Sequence, residues 1–387
     1  MHRTTILLLY WLAIILQTGC DKPINSEGDY TTIHMDSILE ESTYSDLFDI
    51  SYVVLHDLPD GEAIYYFAKI LKFEGGYICW EERYRTIYFF DNQGQYLHHI
   101  DAVGAGPAEY GDIGDICYNP DTETLIVLDM NHSMISYDLE GNGLSEVLLP
   151  QKASDVTMDH NGKFTFVSYL RDSCTIWKSG ANLNMECVDM GDNIIGPYYS
   201  QSDFKIAPGI EGPDLLVTFP LSEYIYSIQD NRLQKKYRID YGERKVWSSD
   251  FVSDMSVIQQ VDYFNAHNDF IQYSGMIFTT QSWLFFHQIN KYYVRQKKAI
   301  EGYYPSEYIF HHPGKGTFSI NTLVDDRNFK FDWRIRGSFG ETLIHHMYFS
   351  DRERVVEEHI DLKTSRGESV LDLMDPTAEI LVLMTMK

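Results

Sequence analysis

Three adjacent histidine pairs, His98–His99, His311–His312 and His345–His346, are the side chains in this sequence best suited to hold a metal ion and activate water. Their spacing argues against it. Neighbouring residues of a β-strand point to opposite faces, so each pair offers at most one imidazole to a shared site. His311–His312 runs into Pro313–Gly314 and reads as a loop. Asp91, Asp138 and Glu109 form a second candidate set, as oxygen donors for Ca²⁺. Yet Asp91 and Asp138 each open an Asp-x-x-Gly turn closed by Gly94 and Gly141. There the carboxylate bonds its own backbone and glycine takes the left-handed position. The sequence has no Gly-x-Ser-x-Gly elbow, no His-Glu-x-x-His and no phosphate loop. It therefore assigns no catalytic residue, no metal ligand and no cofactor.

The cysteines carry chemistry of another kind. Cys20 follows basic Arg3, an apolar run from Ile6 to Leu16, and Gly19. That run is too short for a comfortable membrane span and fits a secretory signal. The Gly19–Cys20 junction resembles a bacterial lipoprotein signal, in which cleavage precedes the cysteine and its thiol is acylated. Gln17 departs from the usual Leu three positions before the cysteine. Residues 1–19 are thus expected to be the signal peptide, 20–30 a polar tether, and Cys20 the lipid attachment site. Cys174 and Cys187 flank the turn Lys178–Asn182 almost symmetrically. They are expected to face each other across a hairpin and are the candidates for a disulfide, the alternative being two buried free thiols. Cys79 and Cys117 lie in different repeats. No Cys-x-x-Cys occurs, so zinc is not indicated.

Strands must position these residues. Tyr88-Phe89-Phe90-Asp91 with Gly94 recurs as Ile135-Ser136-Tyr137-Asp138 with Gly141, 47 residues on. A repeat of this size built from short strands is the signature of a propeller blade. Ile64–Ile70, Gly76–Trp80, Ile87–Asp91 and Tyr96–Ile100 read as one four-stranded unit. Asp115–Tyr118, Thr124–Asp129, Met134–Asp138 and Ser145–Leu149 read as the next. A third runs from Asp155 to Met190. Later units are fainter: Leu215 to Tyr241, Gly275 to Lys297, and Ser319 to Phe349. Residues 242–270 read as an insertion, 351–374 as charged and partly helical. Glu379–Lys387 is a last strand, expected to complete a blade begun by Thr31–Asp36 or Tyr52–His56.

The chain has 387 residues, more than one ordinary core holds, but a propeller grows by adding blades around one axis. Its net charge of −26 repels nucleic acid and disfavours electrostatic docking on anionic lipid. The 28 tyrosines suit half-buried strand faces as well as carbohydrate platforms.

The Gly104-x-Gly106-Pro107-x-Glu109-Tyr110 loop, Ile126-Val127-Leu128-Asp129 and the Asp-x-x-Gly turn together resemble an NHL-type repeat. The whole arrangement resembles the six-bladed β-propeller lipoproteins of Bacteroidetes. That resemblance implies an all-β, NHL/TolB-like propeller of six four-stranded antiparallel blades over residues 31–387. It also implies an envelope location, periplasmic or surface-facing, and supplies no catalytic motif. In the loop, Gly104 and Gly106 are expected to take positive φ, Pro107 to stiffen the chain, and Glu109 to accept backbone N–H groups.

Two functional classes follow. One is a binding or scaffold module, monomeric and lipid-anchored at Cys20, that contacts a glycan, peptide or envelope-protein partner at a channel mouth or loop face. The other is a propeller hydrolase or lyase. Three or more titratable groups converging at the axis would mark the enzyme. A flat or aromatic face would mark the binding module.

Overall fold

A computed structural model describes residues 30–35, 42–59, 64–159, 162–168, 176–179, 185–189, 206–210, 214–219, 222–241, 245–246, 270–289, 306–319, 335–347, 349–374 and 378–387. Cys20, Cys174, the signal and tether segments, and most of residues 242–270 lie outside them.

Thr31–His34 (β1), the short helix Tyr44–Leu47 (α1) and Phe48–Leu55 (β2) lead in. Blade 1 comprises Phe67–Phe73 (β3), Gly76–Glu81 (β4), Thr86–Asp91 (β5) and Tyr96–Ile100 (β6). Blade 2 comprises Ile113–Asn119 (β7), Thr124–Asp129 (β8), Ser133–Tyr137 (β9) and Gly143–Leu148 (β10). Blade 3 comprises Asp155–Met158 (β11), Phe164–Val167 (β12), Ile176–Ser179 (β13) and Met185–Cys187 (β14). Blade 4 comprises Ile206–Pro208 (β15), Leu215–Thr218 (β16), Tyr224–Gln229 (β17) and Arg232–Asp240 (β18). After Lys245–Val246 (β19), blade 5 comprises Phe270–Thr279 (β20), Leu284–Ile289 (β21), Ser306–His312 (β22) and Gly316–Ser319 (β23). Blade 6 comprises Ile335–Phe339 (β24), Thr342–His346 (β25) and Glu379–Met386 (β26), with β2 as its outer strand. Helices Phe349–Glu357 (α2) and Val370–Leu373 (α3) lie between β25 and β26.

Period-2 alternation explains why the wheel holds together. In β4 and β5, Ile78, Trp80, Ile87 and Phe89 pack against Ile116, Leu125, Val127 and Ile135 of blade 2. The alternate residues Tyr77, Cys79, Tyr88 and Phe90 pack against Val53, Leu55, Ile344 and Leu381 of blade 6. Each middle strand is therefore buried on both faces, and its apolar run is continuous. Six apolar clusters result among the described residues, one per seam between neighbouring blades. Outer strands escape this constraint, and β10 is largely exposed.

The closing strand pairs as expected, with the second of the two N-terminal candidates. β2 and β26 are antiparallel from Phe48↔Met386 to Leu55↔Glu379. The first candidate, β1, instead adds a parallel fifth strand to blade 4, with Thr31 opposite Tyr237.

The later blades depart from the sequence reading. His311–His312 ends strand β22 rather than lying in a loop. Ser319 closes blade 5 and does not begin blade 6. Both differences have one source: the sequence reading ends this unit at Lys297, whereas the third strand of blade 5 is Ser306–His312. In blade 3 the register sets Trp177 opposite Cys187, and the expected partner Cys174 lies outside the described residues. Cys187 is disulfide-bonded, whereas Cys79 and Cys117 are free and buried.

The repeat motifs are seam parts. Asp91 Oδ1 accepts from Gln93 N at 2.7 Å and Gln95 N at 2.9 Å. Asp138 Oδ1 accepts from Glu140 N at 3.1 Å and Asn142 N at 2.7 Å. Gly94 and Gly141 take φ of 90° and 86°, a region closed to most side chains. Each turn leans on the outer strand of the preceding blade. His56 N donates to Gly94 O, and His98 Nε2 donates to Leu139 O. Gly104 and Gly106 are not among the positive-φ glycines. Their reason is close approach: Glu109 folds back so that its Oε2 accepts from Gly106 N at 2.7 Å. A Cβ on Gly104 would collide with that carboxylate.

Candidate functional site

The inner strands β3, β7, β11, β15, β20 and β24 surround a central channel holding a cavity of about 640 Å³. Its lining mixes aliphatic side chains such as Ile70, Ile116, Val156 and Ile277 with the cations Lys69, Lys72 and Arg336 and the carboxylates Glu74, Glu123, Asp159 and Asp214.

Lys69, Asp115 and Asp155 occupy equivalent register positions in the inner strands of three successive blades. A β-bulge precedes the first two and re-aims their side chains. Lys69 Nζ donates to Asp115 Oδ1 at 2.7 Å. Asp115 also accepts from Ile116 N at 2.8 Å and Val156 N at 3.0 Å, so blade 2 is laced to both neighbours. Burial pushes the Asp115 carboxyl up to about 6; Lys69 opposes that rise and Asp155 adds to it. Three titratable groups thus meet beside the axis. Only Lys69 lines the lumen, however; Asp115 and Asp155 lie behind the wall. Their arrangement ties blades together and presents no free carboxylate to a ligand.

The histidine pairs do not converge. His99 Nδ1 meets Tyr96 Oη at 2.8 Å, His311 Nδ1 meets Thr317 Oγ1 at 3.0 Å, and His312 Nδ1 accepts from Gly314 N at 2.8 Å. His346 Nε2 donates to Glu379 Oε2 at 2.6 Å, while its Nδ1 accepts from Phe67 N. Arg352 Nη1 binds the other Glu379 oxygen at 2.8 Å, which ties α2 to the closing blade. None of the six imidazoles lines the channel. Among the described residues no group of three His, Cys, Asp or Glu side chains is placed to hold a metal.

A different constellation sits on the face where the chain crosses into each inner strand. Tyr65 and Tyr66 immediately precede β3, and Glu82–Arg85 form the turn between β4 and β5. Fully buried Glu81 joins the two segments: Oε1 accepts from Tyr65 N at 3.3 Å and Oε2 from Tyr84 N at 2.6 Å. Burial pushes this carboxyl up, and the surrounding backbone N–H groups partly offset it. Arg85 holds the turn at a φ of 61° while its Nη1 donates to Gly111 O at 2.6 Å. Two tyrosines are thereby displayed to solvent, Tyr65 at 64% and Tyr84 at 49% exposure. The Arg83 guanidinium lies 4.9 Å from the Tyr65 ring centroid and 5.7 Å from that of Tyr84. Tyr65 meets Tyr66 edge to face at 5.6 Å. Tyr66 in turn lies 5.5 Å from the Arg336 guanidinium, which lines the channel. A ladder of tyrosine rings and guanidinium groups, in the order Tyr84, Arg83, Tyr65, Tyr66 and Arg336, therefore runs from the loop face to the channel wall. Sequence reasoning missed it. The available signal was the charged, aromatic run Glu81–Arg85, placed between two apolar strands.

Residues 22–321 match a single family, described as a six-bladed β-propeller (DUF5128). The chain belongs to this family. No curated protein matches it. Among solved structures it is similar to a protein from Bacteroides fragilis described as exported. That match has a TM-score of 0.69 at 15% identity and covers 92% of this chain and 99% of the other. It is also similar to a member of the DUF4221 family from Bacteroides vulgatus, with a TM-score of 0.54 at 10% identity, covering 88% and 99% of the two chains. At these identities the likeness is one of fold.

Proposed function

We propose that this DUF5128 protein is an exported, lipid-anchored envelope protein whose propeller serves as a binding module. The observation that carries this reading is the central channel. Its cavity of about 640 Å³ has room for a small ligand, and the buried Asp115 carboxylate behind its wall is engaged by the seams to blades 1 and 3. What the wheel offers outward is shape, aromatic rings and guanidinium groups, the chemistry of recognition. The lipoprotein-like Gly19–Cys20 junction supplies the anchor, and the exported relative from B. fragilis supports the same side of the membrane. With Cys79 and Cys117 free, and Cys20 assigned to lipid, we pair Cys187 with Cys174.

The full chain, extracted in detergent, should bind a restricted set of ligands on glycan and peptide arrays. Uniform silence on both arrays would overturn the binding reading. Cys20→Ala should shift the protein from the membrane to the soluble fraction; retention there would contradict the anchor.

A further inference from the structure

We infer that the Tyr65–Arg83–Tyr84 platform on blade 1 is a binding site for a sugar unit bearing a carboxylate, of the uronic-acid type. The inference deepens the binding-module reading and rests on it.

The platform is built rather than accidental. Its two rings come from separate segments, and a buried carboxylate clamps the backbones of both. A non-glycine residue held at positive φ keeps the turn in place. Large aromatic side chains displayed this openly, on a rigid support, mark an interaction surface. Flat exposed rings suit the C–H face of a pyranose.

The guanidinium decides the class of sugar. Arg83 stands close enough to the buried Glu81 carboxyl to oppose its rise in pKa, and its planar group lies over two exposed tyrosine rings. The residue is exposed, and the guanidinium fork matches a carboxylate bidentately. Arg336, at the far end of the ladder, adds a second positive charge beside the channel. The molecule's net charge of −26 opposes dense polyanions. At physiological salt the Debye length is about 8 Å, so a single carboxylate is governed by the groups of this turn, where Glu82 bonds to Tyr66 and Arg83 supplies the guanidinium. A single carboxylate on a sugar ring satisfies both conditions. A peptide added as a further strand would need a free strand edge, which this turn does not provide.

A matched pair of probes tests the assignment. Cellobiouronic acid and cellobiose differ by one carboxylate, and each is titrated against the full chain by ligand-observed NMR. The wild-type protein should bind cellobiouronic acid about ten-fold more tightly than cellobiose, the value of one charge-assisted contact. Arg83→Gln should abolish that preference. Tyr65→Ala with Tyr84→Ala should remove binding of both sugars. Thermal unfolding should be nearly unchanged in these variants, because all three side chains are exposed. Equal binding of the two sugars, or no saturable binding of cellobiouronic acid, overturns the inference. So does binding that survives the three substitutions. In each of these cases specific hits on the arrays would leave the binding module standing, and silent arrays would remove it too.

Discussion

Lys69 and Asp115 show how a single pair can govern three blades. The Asp115 carboxylate holds Lys69 of blade 1, its own strand, and Val156 N of blade 3. A buried pair is costly to break on one side only, because the survivor is left charged and unsatisfied. Lys69→Met should therefore destabilise the protein by about 3–5 kcal/mol at neutral pH. The double change Lys69→Met with Asp115→Leu should recover much of that loss in urea unfolding. The pair also sets a pH dependence. The folded carboxyl titrates near 6, above its unfolded value of about 4. Its contribution to stability is then fully present below about pH 4 and is lost as pH rises through about 6. The double variant should lack this slope. If its unfolding midpoint tracked the wild type from pH 4 to pH 7, Asp115 would not be the group responsible.

The Asp-x-x-Gly turn is one local structure used in two settings. Gly94 sits in a seam, where a Cβ would strike the Val54 carbonyl of the closing strand. Gly162 closes the same turn in blade 3, on Asp159, and has open space around it. Gly162→Ala should cost only the left-handed backbone penalty, about 1–2 kcal/mol. Gly94→Ala adds the collision and should cost clearly more, read as a larger fall in the urea midpoint. Equal losses would mean that the turn does not brace the ring. This distinction also marks the limit of what was legible in the sequence. Asp91, Asp138 and their glycines announced the blades because a turn needs particular residues at fixed spacing. The strand Ser306–His312 went unread because His311–His312 before Pro313–Gly314 carries a stronger local loop signal than strand signal. Gly104 was placed correctly but for the wrong reason, since the close approach of Glu109 comes from the folded loop and leaves no periodic trace. The blade 1 platform was illegible for a similar cause. Tyr65 and Tyr84 are brought together by Glu81, and only the strand register of blade 1 shows that they are neighbours.

The ring as a whole sets where the proposed anchor at Cys20 would lie relative to the platform. β1 follows directly on the segment proposed as the tether and pairs parallel with β18, the outer strand of blade 4. Successive strands of a sheet rotate by roughly 20–25°. Four such steps turn β1 by about 80–100° from the inner strand, so it runs around the rim of the wheel instead of along its axis. A lipid on Cys20 would then hold the molecule by the edge of blade 4, through about ten residues that reach at most roughly 35 Å. Blade 1 lies three positions away in a ring of six, on the opposite rim. A chain of this length has a radius of gyration of about 21 Å, which places opposite rims on the order of 50 Å apart. The wheel should therefore stand with blade 4 toward the membrane and carry the tyrosine platform outward, clear of the lipid. Cysteine labelling can read this directly, because Cys79 and Cys117, the free thiols among the described residues, are buried and their pKa values pushed up, Cys117 to about 11, so that they resist modification in the folded state. Fluorophores are placed at Gln234→Cys on blade 4 and Leu97→Cys on blade 1, and the protein is reconstituted in vesicles containing quencher-bearing lipid. Strong quenching at 234 with weak quenching at 97 is the expected result. The reverse order, or equal quenching, would show that the wheel does not hang from blade 4.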